Sequence, residues 1–236
     1  MTRLGQMTDQ AHISSPNAPD TSSATDKRLK VVLTGFGAFP GAPFNPSQTL
    51  ALAVHRQCQA RLQRAGIDLE VVILPVVFSA IPSHLTAIKA KSQPNIVLHL
   101  GLAARRKKIT IETRAINHLS VLHCDAEGRR ALAPQIKTEG PPVRRVSLPY
   151  RAMQGAMSGR GVRIALSQDA GDYICNQTLF LSLGLFEKAG FVHLPIPRAL
   201  NRKRASSERQ APPLRAMIAA LERALLCLAM PCFIKI

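Results

Sequence analysis

Apolar residues along this chain fall into two alternating rhythms. Leu29-Lys30-Val31-Val32-Leu33 is a short apolar run closed by Gly35 and Gly37, which predicts a buried strand entering a glycine loop. From Asn45 to Gly66 the spacing changes to that of a helix. Leu50, Val54, Cys58 and Leu62 recur every four residues, Asn45 can cap, Pro46 suits the first helical position, and Gly66 stops the run. Further strands are predicted at Leu69–Leu74, Asn95–Leu100, Ile109–Ile116, Val162–Leu166 and Phe191–Leu194, and helices near Ser83–Lys91, Arg151–Ser158 and Asn176–Lys188. A last helix carries Leu214, Ile218, Leu221, Leu225 and Leu228 on one side, a stripe suited to docking on the sheet. Strands alternating with helices at this spacing imply crossover connections. The expected fold is therefore α/β, a three-layer α/β/α sandwich around a mostly parallel central sheet.

Residues 1–27 are rich in Ser, Thr, Asp, Asn and Pro, with apolar residues too sparse for an amphipathic face, and read as a flexible leader. Residues 28–236 are expected to form a single domain, with two basic, turn-rich stretches at Leu122–Arg145 and Pro197–Pro213 on its surface. At 236 residues and 46% hydrophobic content the chain is long enough for one sizeable core, and it contains no apolar run that would span a membrane.

Lys and Arg outnumber Asp and Glu by 31 to 14, a formal charge of +17 that attracts phosphates or acidic surfaces whatever the fold does. Readers of single-stranded nucleic acid add aromatic platforms, whereas this chain has no Trp and only 4% aromatic residues. The basic runs Arg105–Lys108, Arg129-Arg130, Arg144-Arg145 and Arg198–Arg204 read first as solvated faces, and a nucleic-acid partner is not favoured. The five cysteines show no paired spacing and the N-terminus lacks a secretory layout, which points to a reducing cytoplasm. No metal-ligand spacing occurs, His118, His123, Cys124 and Asp125 included, so a metal site is not expected.

Candidate chemistry begins at Cys175, expected where a strand passes through a Gly-containing turn into a helix. A thiol at a helix N-terminus feels the positive end of the dipole and free N–H groups, which predicts a favoured thiolate and a lowered pKa. The competing reading is a small buried hydrophobe. Eighteen residues on, His193 ends a strand expected to run parallel to the one before Cys175, so that both side chains emerge at one sheet edge. An imidazole there can take a thiol proton and return it to a leaving amine. Glu112 lies within an alternating strand pattern and could fix the imidazole tautomer, or it could stand on a solvated face beside Arg114.

These blocks together resemble the pyroglutamyl peptidase type I family of cysteine peptidases. The resemblance is carried in order by Thr34-Gly35-Phe36-Gly37-Ala38-Phe39-Pro40-Gly41 with Asn45-Pro46-Ser47, Leu74-Pro75-Val76, Ile109-Thr110-Ile111-Glu112 with Ala115-Ile116-Asn117, Ile174-Cys175-Asn176, and Phe191-Val192-His193-Leu194-Pro195. It implies Cys175 as nucleophile, His193 as base and acid, and Glu112 as the residue orienting His193. It also implies removal of an N-terminal pyroglutamate from peptides through a thioester, without metal or organic cofactor. Phe36 and Phe39 would flank the lactam ring, with Asn45 nearby. The family includes homo-oligomers. Three departures mark this chain. Leu102 stands where the family usually has a glutamine of the ligand site, Leu122 lies where an arginine is common, and the step from Cys175 to His193 is shorter than usual. They imply conserved machinery with an altered acyl pocket, or a binding homologue that has lost turnover.

Overall fold

The structure, a computed structural model, describes residues 28–40, 42–159, 161–197 and 211–230; the leader and residues 198–210 of the second basic stretch lie outside them. In chain order the elements are β1 (Leu29–Phe36), α1 (Pro46–Arg64), β2 (Ile67–Leu74), α2 (Ile81–Ser92), β3 (Ile96–Leu102), β4 (Ile109–Glu112), β5 (Arg114–Ile116), β6 (Val143–Arg145), α3 (Tyr150–Met157), β7 (Ile164–Ser167), α4 (Ile174–Leu185), β8 (Ala189–Leu194) and α5 (Leu214–Leu228). Six strands form the main sheet in the order β2-β1-β3-β8-β4-β7, and β5 pairs with β6 in a small separate ribbon. Helices α1, α3 and α5 pack together, as do α2 and α4, completing the α/β/α arrangement. No helix among the described residues is long and apolar enough to cross a membrane.

β2, β1, β3 and β8 run parallel, while β4 and β7 run the opposite way, with β4 antiparallel to β8 and parallel to β7. The reason lies in the connection after β3. Only residues 103–108 separate it from β4. A parallel return needs a crossover of a dozen or more residues, so the chain can only fold back beyond β8. The expectation that the strand before Cys175 parallels the strand of His193 is thereby corrected: β7 and β8 are antiparallel and β4 lies between them.

The expected strand Ile109–Ile116 is also two. Thr113 donates from both N and Oγ1 to the Ser167 carbonyl, at 2.8 Å each, and its own carbonyl accepts from Val146 N. These bonds hand the chain from the main sheet to the β5–β6 ribbon. At the other end of the fold, the start of α1 follows its sequence signals. The Asn45 side chain accepts from Ser47 N and Pro46 opens the helix. The helix backbone then presses on Gly35, where a Cβ would stand 2.7 Å from the Ser47 carbonyl oxygen. Only glycine admits that approach.

The core runs through the sheet and both helical layers, with Leu33, Leu98, Leu100, Phe180 and Phe191 fully enclosed. α5 lies along α1 and α3, with its apolar stripe buried in the same core cluster as the strand residues. One polar chain crosses this core. His99, wholly buried, joins Thr34 Oγ1 at 2.7 Å to Ser182 Oγ at 2.8 Å, and burial drives its pKa down to about 3.

Candidate active site

α4 begins at Ile174, which puts Cys175 in its first turn. Two contacts fix that turn. Asn176, fully buried, donates from Nδ2 to the carbonyls of Ile116 and His118 and accepts from Ile116 N, tying the helix start to β5. Tyr173, the N-cap, donates its hydroxyl to the Cys124 carbonyl and sets its ring edge-on to Phe78. Tyr173 makes no side-chain capping bond, so the first N–H groups of α4 stay open, as at any uncapped helix start.

Gly101 brings thiol and imidazole to one place. It is the register partner of His193 across β3 and β8. A Cβ built on it would lie 3.0 Å from Cys175 Sγ and 2.6 Å from the Phe191 ring. Sulfur and aromatic ring thus rest against bare backbone beside His193, whose ring centroid is 4.7 Å from that of Phe191.

Glu112 completes the set from the neighbouring strand. Thr110 faces His193 directly in the antiparallel β4–β8 pair, and Glu112 is two residues on, hence on the same face. From there its Oε1 reaches His193 Nδ1 at 2.7 Å. A carboxylate only accepts, so Nδ1 carries the proton and Nε2 is left basic. Glu112 is fully buried, not on a solvated face, and Arg114 is not its partner: Arg114 Nε donates to the Gln168 carbonyl. The partner is Arg106. Its Nη1 donates to Glu112 Oε1 at 2.5 Å and its Nη2 to the Asp169 carbonyl at 2.7 Å. The basic run Arg105–Lys108 is therefore not wholly a solvated face. Arg144 likewise turns inward, over the Phe180 ring.

The charge state differs from the expectation at the thiol. Cys175 is part-buried, yet loss of water around its sulfur pushes its pKa up to about 12; the Glu112 charge adds to the rise, while Arg106 and the residue's own N–H oppose it. The helix terminus that predicted a lowered pKa is outweighed by desolvation. His193 is lowered, chiefly by burial, with Glu112 working against that and Arg106 reinforcing it. Burial thus works against the charged form of both thiol and imidazole.

Phe36 is buried, its ring 6.2 Å from Phe191, and Phe39 is part-buried in the loop that follows. Asn45 is occupied in shaping that loop: Nδ2 donates to the Gly37 carbonyl and Oδ1 accepts from Ser47 N and Oγ. Leu102 sits half-buried at the end of β3, and Leu122 is 74% exposed. Asp125 spends its carboxylate on the backbone N–H groups of Phe78, Glu127 and Arg129. No group of three or more potential metal ligands occurs among the described residues.

A thiol in the first turn of a helix, with an imidazole and a carboxylate on adjacent strands of an α/β sheet, defines the protein as a cysteine-type peptidase in class. Comparison with known proteins narrows it. A profile of the pyroglutamyl peptidase family matches residues 29–229, and the chain belongs to that family. It is 31% identical over 177 residues to the pyrrolidone-carboxylate peptidase of Oceanobacillus iheyensis, covering 72% of this chain and 86% of the relative. The Pseudomonas fluorescens protein of the same name is 32% identical over 202 residues, 83% and 91% of the two chains. Among solved structures, the pyroglutamyl peptidase I of Bacillus amyloliquefaciens superposes with a TM-score of 0.76 at 25% identity, over 86% of this chain and 97% of that one. The pyrrolidone carboxyl peptidase of Thermus thermophilus gives 0.73 at 31%, over 83% and 98%.

Proposed function

We propose that this protein removes an N-terminal pyroglutamyl residue, or a closely related small acyl group, from peptides through a thioester on Cys175. The observation that carries the proposal is the 2.7 Å bond from His193 to Glu112 beside a glycine that receives the Cys175 sulfur. In the proposed reaction Sγ attacks the acyl carbonyl as its proton passes to His193 Nε2. The carbonyl oxygen, now negative, is met by the open N–H groups at the start of α4. The C–N bond then breaks, His193 returns the proton to the departing amine, and water, activated by the same imidazole, hydrolyses the thioester. Because burial raises the thiol pKa, His193 is needed to take the proton for attack to proceed.

Phe36 and Phe39 are proposed to offer apolar faces to the flat lactam, with Asn45 holding their loop in shape. The substrate is a peptide with a blocked N-terminus. The described Cys58, Cys124 and Cys175 are free thiols, which suits the cytoplasm as the setting. The high resting thiol pKa, with Leu102 at the end of β3, favours as a second reading a binding homologue without turnover. A panel of acyl-anilides, pyroglutamyl included, separates the two with Cys175→Ala as control. Thiol-dependent release supports the peptidase, and no release with any acyl group overturns it.

A further inference from the structure

Among the described residues, Arg106 is the one arginine or lysine in contact with Glu112. Its guanidinium spans three segments. It leaves the β3–β4 loop, donates through Nη1 to Glu112 Oε1 on β4, and donates through Nη2 to the Asp169 carbonyl, with Ser167 Oγ at 3.5 Å, in the turn that leads to Cys175. The same oxygen, Oε1, serves both Arg106 and His193, whereas Oε2 is buried with no hydrogen-bond partner among the described residues. A fully buried carboxylate with a single neutral imidazole as partner would be costly to keep ionised. The guanidinium supplies the missing compensation.

We infer that Arg106 is a positioning residue for the peptidase reaction, pinning the buried Glu112 carboxylate in place against His193 and supplying the positive charge that faces it. This rests on the function proposed above. The charged and titratable groups around His193 are Glu112 from β4, Arg106 from the β3–β4 loop, Asp169 from the β7–α4 turn and the Cys175 thiol from α4. His99 on β3 stands behind the Phe191 ring. Among these described groups Arg106 alone is cationic. Without it, an uncompensated Glu112 would favour imidazolium, leaving His193 a poorer acid toward the leaving amine, and would oppose ionisation of Cys175.

Two neutral variants, Arg106→Gln and Arg106→Met, and the charge-keeping Arg106→Lys test this by two measurements. In the kcat/KM profile the acidic limb should move to higher pH in both neutral variants, since His193 must then shed a more tightly held proton. An opposite charge at this range shifts a neighbour by one unit or more, so activity below the limb should fall about tenfold beyond any loss on the plateau. Arg106→Lys should return the limb to its original position even with a lower plateau, because a single ammonium cannot span both acceptors. The second measurement needs no substrate: iodoacetamide alkylation of Cys175 at fixed pH should slow in the neutral variants and recover in Arg106→Lys. An unmoved limb with only a lower plateau, or equal alkylation rates in all variants, overturns the inference. If the parent protein cleaves no acyl-anilide, the proposed function fails, and the alkylation series still decides the role of Arg106.

Discussion

Gly101→Ala puts a single methyl group where thiol, imidazole and aromatic ring converge. The new Cβ would stand 2.6 and 2.7 Å from Cζ and Cε1 of Phe191 and 3.0 Å from Cys175 Sγ. Carbon atoms settle at about 3.5–4.0 Å, so the ring must withdraw by roughly 1 Å or the strand must bow. Phe191 has little room, being wholly buried with the rings of Phe36, His99 and His193 around it. Overpacking of this kind costs about 1–3 kcal/mol, offset by roughly 0.4–1 kcal/mol from the stiffer unfolded chain. At about 2–4 °C per kcal/mol for a domain of this size, the melting midpoint should drop by a few degrees. Activity should suffer more. A reacting atom displaced by 1 Å costs on the order of a hundredfold, so kcat/KM on a pyroglutamyl-anilide should fall far beyond what the stability change explains. Gly155→Ala on α3 is the control, since its Cβ meets nothing within 4 Å. If Gly101→Ala melts with the parent and retains its kcat/KM, the sulfur does not rest against residue 101 and the proposed assembly is wrong.

Glu112→Gln should separate two readouts. Activity should fall on the order of 10⁴-fold, as for amide substitution of a triad carboxylate, while Cys175 alkylation at neutral pH should quicken, because the charge that raises the thiol is gone; slower alkylation would refute the electrostatics. Asn45→Ala should destabilise by about 1 kcal/mol through the lost cap, and somewhat more through the Gly37 carbonyl, in chemical denaturation; an unchanged midpoint would contradict it. His99 is protonated only near pH 3 when folded but near 6.5 when unfolded. Stability should therefore fall as pH drops through 6.5, by up to about 1.4 kcal/mol per unit for this group, until the folded state also binds the proton near 3. Urea midpoints across this range should show a shallower slope in His99→Gln, and an equal slope would remove His99 as the source.

Periodicity made the elements legible because burial is one-sided. The every-fourth-residue spacing from Leu50 to Leu62 and the Asn45-Pro46 start describe α1 almost as it stands. Strand direction was less legible, since it depends on a length argument about residues 103–108 and on which neighbour β4 chooses, neither of which hydrophobic spacing encodes. The break at Thr113 turns on two bonds to one distant carbonyl, that of Ser167. Alternation did put Glu112 on the face opposite Ile109 and Ile111, the face it shares with Thr110. The resemblance, not the pattern, joined it to His193. Arg106 was hidden inside a basic run because a long side chain reaches well beyond its own backbone position, which spacing does not encode.

The thiol's place in the site bears on how such a peptidase would be controlled. A cysteine with an exposed, low-pKa sulfur is a thiolate at rest and open to oxidation as well as to substrate. Cys175, pushed up to about 12 by dehydration and by Glu112, is instead a quiet thiol beside an imidazole whose pKa burial lowers. Its reactivity would then depend on events that accompany substrate docking: an acyl carbonyl placed against the sulfur, and N–H groups of α4 positioned for the emerging oxyanion. Selectivity would follow from the same dependence. If Phe36 and Phe39 flank the acyl group as proposed, one that fits poorly between them would hold its carbonyl away from the sulfur. The pocket would thus decide which peptides can turn on the nucleophile, as well as which ones bind.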